Sequence, residues 1–210
     1  MKLRNLLQET PETYYWLGFI AADGNFHKRP DGKLASLRFR IKDLASVTAL
    51  KEFLQISNNI KPYVCGKTQM YRLNIGDIEG IELLRQKYSI TSNKTVTPME
   101  FNLKDDSLVS LLIGYIDGDG CIRNRKGYPE IKIKCNYTWL GELLKWHREL
   151  SLLTDIQMAA PYRKDNYAMW YIAKAPVVKY LYNKSIELCL PRMPRKWDKI
   201  VIEDLNKRVR

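Results

Sequence analysis

A period-two alternation of apolar and polar residues predicts a series of half-buried strands. It is clearest at residues 36–42, SLRFRIK, and at residues 130–135, EIKIKC. In both segments every second side chain is apolar, which is typical of a strand that packs one face against a core. Four shorter strand-like pieces follow in two pairs, each joined by a tight turn: 60–65 with 68–75, and 156–160 with 167–173.

Longer apolar runs predict helices between the strands. Two of them, which start at Thr10-Pro11-Glu12 and at Asp105-Asp106-Ser107, are apolar on almost every side, so we expect both helices to be buried. The order of elements is αββαββα, twice over, which predicts an α+β protein of two similar halves, residues 1–104 and 105–210. The remaining helices are expected at 44–56, 77–88, 137–150, 176–188 and 196–208.

The two buried helices carry a repeated motif. Residues 14–25 read YYWLGFIAADGN and residues 110–121 read SLLIGYIDGDGC, and both end an apolar run in Asp-Gly, at Asp23 and Asp119. Small residues four positions apart line one helix face and let two backbones approach closely. We therefore predict a tight, parallel helix pair between the halves. The small residues are Gly18 with Ala22, and Gly114 with Gly118.

A parallel pair brings the two aspartates together at the helix ends, where Gly24 and Gly120 are expected as C-terminal caps. Two like charges 4 Å apart repel by ~1 kcal/mol in water and by ~4 kcal/mol at an effective dielectric constant of 20. A divalent cation removes this repulsion, and oxygen ligands suit Mg²⁺ or Ca²⁺. A single Asp-Gly after a helix is usually a turn. Two matched copies favour a metal site for phosphoryl chemistry.

Charge and composition narrow the classes of function. The chain has 35 Lys+Arg against 23 Asp+Glu, a net charge of +12, which favours a polyanionic partner. No apolar run is long enough to span a membrane. The absence of H-E-x-x-H, Walker and G-x-S-x-G motifs leaves carboxylates, metal and lysines for catalysis. The four cysteines are too widely spaced for a zinc ribbon, and we expect reduced, mostly buried thiols.

Residues 16–24, WLGFIAADG, and 112–120, LIGYIDGDG, resemble the two motifs of the single-chain LAGLIDADG homing endonucleases. The resemblance covers nearly the whole chain, because the elements after each motif also repeat. It implies two pseudo-symmetric αββαββα halves with saddle-like antiparallel sheets and the motif helices packed at the interface. It further implies a monomeric endonuclease that uses Mg²⁺ to hydrolyse both strands of a double-stranded DNA site of roughly 20 base pairs. Ca²⁺ or Mn²⁺ is expected to replace Mg²⁺ in binding.

The resemblance also implies roles for individual residues. Asp23 and Asp119 are expected to bind metal together with the backbone carbonyls of Ala22 and Gly118. The first motif has Ala21 where the second has Asp117, but this earlier acid is not the family's metal ligand. Two basic pairs are expected to polarise water and stabilise charge on the phosphate. They are Arg40 with Lys132 on strands, and Lys94 with Lys196 in the basic, proline-bearing loops that follow the helices at 77–88 and 176–188.

The polar faces of the predicted strands form the candidate DNA surface. Arg and Lys bind guanine edges and Asn binds adenine in the major groove, which a two-stranded ribbon fits. Charge that alternates on a strand also describes a merely solvated face, so the prediction rests on the set rather than on one residue. The set is Ser36, Arg38, Arg40, Lys42, Arg72, Asn74, Arg123, Arg125, Lys132, Lys134 and Asn136.

Other functions remain open at this stage. A protein of this fold that lost cleavage would be an RNA-binding intron maturase, with intron RNA as a partner, or a DNA-binding regulator, and fold alone does not separate these from a nuclease. A metal-dependent phosphohydrolase of small substrates is a third class, against which the basic strand faces argue. Both motif acids are present, which favours the nuclease. We expect a cytoplasmic protein, or an organellar one if the gene is organelle-encoded.

Overall fold

Two four-stranded antiparallel sheets and two sets of helices make up the chain, in a computed structural model that describes residues 1–125 and 128–200. The first half begins with a 3₁₀ turn at Arg4–Leu7. Its elements are α1 (Pro11–Asp23), β1 (Asn25–Lys28), β2 (Leu34–Ile41), α2 (Leu44–Phe53), β3 (Lys61–Cys65), β4 (Thr68–Gly76) and α3 (Ile78–Tyr88).

The second half repeats this order. Its elements are α4 (Asp105–Asp119), β5 (Cys121–Arg125), β6 (Tyr128–Asn136), α5 (Leu140–Thr154), β7 (Tyr162–Lys164), β8 (Tyr167–Ile172), α6 (Ala175–Glu187) and α7 (Pro194–Trp197). The strand orders are β1-β2-β4-β3 and β5-β6-β8-β7. The predicted α+β class and the order αββαββα are therefore confirmed.

Three predicted elements differ from the structure. The strand before the Asp165-Asn166 turn is β7 rather than 156–160, because a tight turn pairs the residues directly beside it, Lys164 with Tyr167. The helix expected at 137–150 begins with a 3₁₀ turn at Tyr137–Trp139, which Asn136 caps, and α5 follows it. The last helix starts at Pro194, and the part expected beyond residue 200 lies outside the described residues, as do Lys207, Arg208 and Arg210.

The cysteines are less buried than expected. All four are free, but Cys65, Cys121 and Cys189 are exposed and Cys135 is only half-buried, so the prediction of mostly buried thiols was wrong. Two of the exposed ones stand at strand ends, where side chains leave the core: Cys65 closes β3 at its turn and Cys121 begins β5. No helix within the described ranges combines the length and the hydropathy that crossing a bilayer requires.

The helix α1 begins as its sequence predicts, and α4 does so only in part. The Thr10 side chain accepts a hydrogen bond from the Thr13 amide, and Pro11 occupies the first turn. In α4, Asp105 and Asp106 lie in the first turn, but Lys104 precedes it and no side chain caps the helix. Both helices are buried along their apolar runs, from Thr13 to Ala22 and from Leu108 to Asp117, as their composition predicts.

The close approach of α1 and α4 depends on two glycines. A Cβ atom on Gly18 would overlap the carbonyl oxygen of Leu111, and one on Gly114 would overlap that of Tyr15. The two contacts are equivalent, because Gly114 is the repeat counterpart of Gly18 and Leu111 that of Tyr15. The helices therefore run parallel and in register. The predicted tight helix pair between the halves is confirmed.

Replacing either glycine by alanine should destabilise the protein. In Gly18→Ala or Gly114→Ala the new methyl meets backbone, which cannot rotate away, so we expect a loss of about 3 kcal/mol in the free energy of unfolding. Urea unfolding followed by far-UV circular dichroism measures the loss. Gly141→Ala is the matched control, since a Cβ there meets nothing within 4 Å. In the helical position of Gly141 alanine should be neutral or slightly stabilising. Equal stability of all three variants would contradict the packing described.

Candidate active site

Each motif helix ends on an aspartate, and the two ends touch. Asp23 is the last residue of α1 and Asp119 the last of α4. A Cβ atom on Gly118 would overlap the side chain of Ala22 and lie 3.4 Å from the amide nitrogen of Asp23. The parallel arrangement therefore places both carboxylates at the same end of the helix pair.

The glycines after the two aspartates turn the chain straight into the sheets. Gly24 and Gly120 are the C-caps that the sequence predicts, but their backbones are extended, with φ of −67° and −74°, rather than left-handed. Glycine is needed for space instead. A Cβ on Gly24 would lie 2.7 Å from the Ile20 carbonyl oxygen, and one on Gly120 would lie 2.6 Å from Ile116 Cα. Both acids are thus fixed between a helix end and the first strand of a sheet.

The two carboxylates are electrostatically coupled. Desolvation by the surrounding protein raises the pKa of Asp23, and the neighbouring Asp119 raises it further. The pKa of Asp119 is also raised by desolvation, and Lys94 and Lys196 oppose both shifts. The ionised carboxylates of Asp23 and Asp119 are therefore stabilised by positive charge nearby, as the sequence predicts for this pair of helix ends.

A lysine lies across each helix end. Lys94, in the segment after α3, donates to the carbonyl oxygens of Ala21, at 2.8 Å, and Ala22, at 2.5 Å. These carbonyls have no partner inside the helix, and a cation near them also opposes the negative end of the helix dipole. Burial lowers the pKa of Lys94, while Asp119 and Asp23 oppose the shift.

The second lysine is more enclosed than the first. Lys196 is buried, and its three N–H donors face four carbonyl oxygens, those of Ile116, Asp117, Gly118 and Gly120, at 2.6–3.1 Å from Nζ. Burial lowers its pKa to about 8, against the opposing effect of Asp117. The structure therefore brings both predicted loop lysines to the ends of the motif helices.

The donor set fits a hard divalent cation. Within residues 1–125 and 128–200, no group of three or more His, Cys, Asp or Glu side chains is placed to hold a metal, which leaves the two aspartates and backbone oxygens. Mg²⁺ suits such a set, because it commonly binds one or two carboxylates and keeps water or phosphate oxygens as its other ligands. The Ala22 and Gly118 carbonyls accept from Lys94 and Lys196. Each carbonyl oxygen keeps one further lone pair for a cation.

The strand register corrects the predicted match between Arg40 and Lys132. Arg38 pairs with Asn25, the second residue after Asp23, and Lys132 pairs with Cys121, the second residue after Asp119. Arg38 is therefore the counterpart of Lys132, and Arg40 is the counterpart of Lys134. The shift arises because the β1–β2 hairpin is longer than the β5–β6 hairpin and contains an irregularity after His27.

Several solved structures share this fold over almost the whole chain. The homing endonuclease I-WcaI bound to its DNA recognition sequence matches with a TM-score of 0.62 and 14% identity, over 93% of this chain and 90% of its own. The LAGLIDADG meganuclease I-AabMI bound to uncleaved DNA matches with a TM-score of 0.56 and 14% identity, over 95% and 90%. I-SmaMI, bound to an uncleaved DNA target with calcium ions, matches with a TM-score of 0.56 and 14% identity, over 95% and 93%.

The chain has the LAGLIDADG homing endonuclease fold. At 14% identity the likeness establishes the fold and not the activity. No family model matches the chain, and no curated protein matches it in sequence. The motif helices of this LAGLIDADG fold are α1 and α4, and each leads through one glycine directly into the first strand of its sheet.

On the N-terminal sheet of the LAGLIDADG fold, a cavity of about 460 Å³ is lined only by cationic and amide side chains. Arg40, Arg72 and Asn74 are exposed on this face, as predicted. Three further lining residues, Asn58, Asn59 and Lys61, were not predicted from the sequence. Lys61 reaches the face because it pairs with Arg72, and the Asn58 side chain donates to the Asn74 carbonyl at 2.8 Å. The lining is Arg38, Arg40, Asn58, Asn59, Lys61, Arg72 and Asn74.

Several predicted DNA contacts are already engaged within the protein. Ser36 is buried and accepts from Arg38 Nε at 3.2 Å, so it is not presented at the surface as expected. The Asn136 Oδ1 atom accepts from the Thr138 amide at 3.1 Å and caps the 3₁₀ turn. Arg123 forms a 2.5 Å ion pair with Glu130. Lys42 is exposed one residue beyond the end of β2, and the side chain of Arg125 lies outside the described part of the chain.

The C-terminal sheet presents a different chemistry. Lys132 lies 5.5 Å from the ring centre of Tyr171, and Lys134 lies 3.6 Å from that of Tyr167. Sequence reasoning missed both tyrosines, although they alternate with the buried Ala168, Trp170 and Ile172 along β8. The N-terminal face thus offers guanidinium and amide groups, and the C-terminal face offers ammonium groups over aromatic rings.

Removing the lysines should reveal how strongly each helix end depends on its cation. Lys196→Ala leaves four carbonyls without a donor, three of them in buried hydrogen bonds, so we expect a loss of about 3 kcal/mol in the free energy of unfolding. Lys94→Ala removes two such bonds and should cost less. Urea unfolding without DNA or metal measures both. The exposed Lys42→Ala is the control, with an expected change near zero, and a larger loss in Lys94→Ala than in Lys196→Ala would contradict this ranking.

Proposed function

We propose that this chain is a LAGLIDADG homing endonuclease, which hydrolyses both strands of a long double-stranded DNA site with a divalent metal. One observation carries the proposal: two aspartates end two contacting parallel helices, each with a lysine at its side. A purely structural protein gains nothing from coupled carboxylates whose pKa values are raised. The comparisons support the proposal at the level of fold, because the solved structures of this fold include endonucleases bound to DNA.

The proposed roles follow from the geometry of the helix ends. Asp23 and Asp119 would hold Mg²⁺, with the carbonyls of Ala22 and Gly118 as further oxygen ligands. When bound, the metal supplies Lewis acidity and an activated water for in-line displacement at phosphorus. Lys94 and Lys196 hold positive charge beside the same carboxylates, where it would polarise the water network and stabilise charge on the phosphate.

The strand cations complete the proposed site. Arg38 and Lys132 occupy matching positions opposite the residues that follow each motif, so we assign to this pair the phosphate-stabilising role first expected of Arg40 and Lys132. The Arg38 guanidinium lies beside Ser36, and the Lys132 ammonium lies over the Tyr171 ring. From there they can bind the phosphates beside the cleaved bonds, which is a positional rather than a sequence-reading contact.

Each half would bind one half of the DNA site. We keep residues 1–104 and 105–210 as the proposed halves, each with one sheet and one motif aspartate. A sheet face fits about one turn of major groove, so two halves cover roughly 20 base pairs. The chain would act as a monomer, because α1 and α4 already cover each other within one molecule.

The two sheet faces should read their half-sites differently. Arginine binds guanine and asparagine binds adenine through paired hydrogen bonds, so the N-terminal face with Arg40, Arg72 and Asn74 suits a half-site with specified purines. The C-terminal face, with Lys134 over Tyr167, suits phosphate contacts and apolar contacts to thymine methyl groups. A nuclease, a DNA-binding regulator and an intron maturase would share the fold, and they are separated by whether duplex DNA is bound and cut.

Changing either motif aspartate should abolish cleavage and spare binding. We expect Asp23→Asn and Asp119→Asn to cut less than about a thousandth as fast as the unchanged protein, because each carboxylate is a proposed metal ligand. The target is first selected as cleaved sites from a randomised duplex library with Mg²⁺, and binding is then measured with Ca²⁺. Asp155→Asn removes the same charge at a helix C-cap far from the motifs and should cut normally. Full cutting by either motif variant would falsify the site, and binding without cutting by the unchanged protein would favour the regulator.

Changes on the N-terminal face should relax base preference locally. Arg40→Ala or Arg72→Ala should lose about 1–3 kcal/mol of discrimination at a few adjacent base pairs if the side chains bind base edges. Each variant is profiled over all single-base variants of the selected site at one salt concentration. Lys51→Ala, on α2 at the back of the same sheet, removes one positive charge without touching this face. If Arg40→Ala and Arg72→Ala lose affinity evenly for every single-base variant while Lys51→Ala does not, the face binds only phosphates.

A further inference from the structure

The two halves differ at one buried position of the motif. Asp117 in α4 is fully buried, while the matching residue of α1 is Ala21. An unpaired buried carboxylate is costly, and this one is fully engaged. It accepts hydrogen bonds from Tyr15 Oη at 2.8 Å, the Met193 amide at 2.9 Å and Trp197 Nε1 at 2.7 Å.

Two of these bonds, from Met193 and Trp197, hold the segment that carries Lys196. Met193 and Trp197 stand on either side of Lys196, and α7 begins directly after Met193. The backbone amide of Lys196 donates to the Met193 carbonyl at 3.0 Å. Asp117 therefore fixes both ends of the short α7 helix against α4, and the Lys196 ammonium reaches the carbonyls of α4 from this position.

The first half holds its lysine in another way. Ala21 has no side-chain acceptor, and the Lys94 segment is held instead by Trp139 Nε1, which donates to the Lys94 carbonyl at 2.9 Å. Trp139 belongs to the second half, in the 3₁₀ turn before α5. Lys94 reaches two carbonyls where Lys196 reaches four. The two lysines thus occupy matching places with unequal support.

We infer that Asp117 is a positioning residue for Lys196, and that it serves the cleavage of one DNA strand more than the other. The inference rests on the proposed function. The two cleaved phosphates of a duplex are related by the same pseudo-twofold axis as the two helix ends, so each lysine lies nearer to one strand. A change that displaces Lys196 alone should therefore separate the two nicking rates.

The change Asp117→Asn tests this with almost no change in volume. The asparagine amide places an N–H donor toward one of the three donors that now face the carboxylate, so at least one hydrogen bond is lost. Losing a hydrogen bond to a charged group corresponds to a factor of about ten or more in an equilibrium. We expect one strand of a doubly labelled duplex to be nicked at least about tenfold more slowly relative to the other, with Mg²⁺ present.

The matched variant acts on the other lysine. Trp139→Phe removes the indole donor from the Lys94 carbonyl and keeps an aromatic ring in the core. It should slow the strand that Asp117→Asn spares. Equal slowing of both strands by both variants would mean that they act through general stability, and it would overturn the inference. Tyr15→Phe, which removes one donor from Asp117, keeps the test available if Asp117→Asn does not fold.

A second measurement needs neither metal nor DNA. Amide hydrogen exchange should become faster at residues 191–197 in Asp117→Asn and remain unchanged at residues 92–97, and the reverse should hold in Trp139→Phe. Unchanged exchange at 191–197 would remove the positioning role of Asp117, whatever the nicking rates. If the unchanged protein nicks neither strand, the proposed function fails, and the claim of strand bias fails with it. Amide exchange at residues 191–197 still decides whether Asp117 positions the segment.

Discussion

The contact between α1 and α4 is the constraint on which the rest of the structure depends. Gly18 and Gly114 let each backbone reach the other helix where any side chain would overlap a carbonyl oxygen. This contact fixes the distance, the direction and the register of the two helices at once. The position of Asp23 relative to Asp119, and of one sheet relative to the other, follows from it, because each sheet begins at the end of a motif helix.

The helix pair creates an electrostatic problem that the surrounding loops partly solve. Two negative helix ends and two aspartates converge. Desolvation raises the pKa of Asp23, and repulsion from Asp119 raises it further. Lys94 and Lys196 reduce it by placing ammonium groups on the free carbonyls of the helix ends. Their own burial lowers their pKa values, so positive charge is also costly here. A site held in such a balance is suited to bind a further cation with an anionic phosphate, which changes the net charge little.

The features that the sequence predicts best are those set by spacing within one element. The small residues four apart predict the helix contact, and the alternation in β2 and β6 predicts which side chains face outward. Features set by pairing between elements were less accessible. The match of Arg38 with Lys132 depends on the length of two hairpins and on an irregularity after His27. The place of β7 depends on the turn that fixes its register.

Side-chain partners across the fold were the least predictable part. Nothing in the sequence near Ser36 shows that it would be buried against Arg38, or that the Asn136 side chain would cap a turn. These contacts join residues through geometry that local patterns do not encode. The tyrosines of β8 are different, since their alternation was visible in the sequence. Their position beside the lysines depends on the strand register, which pairs Tyr171 with Lys132.

The two halves have one topology, but they need not work identically. Topology and the motif aspartates are shared because the helix contact requires both copies to match. The positions around them are free to differ where they touch only their own half. Asp117 and Ala21 differ even at the interface: Asp117 accepts a hydrogen bond from Tyr15 of α1, but the close backbone contact is made at Gly18 and Gly114. The pseudo-symmetric core therefore fixes where the two aspartates stand, while the segments that carry Lys94 and Lys196 are held differently in the two halves.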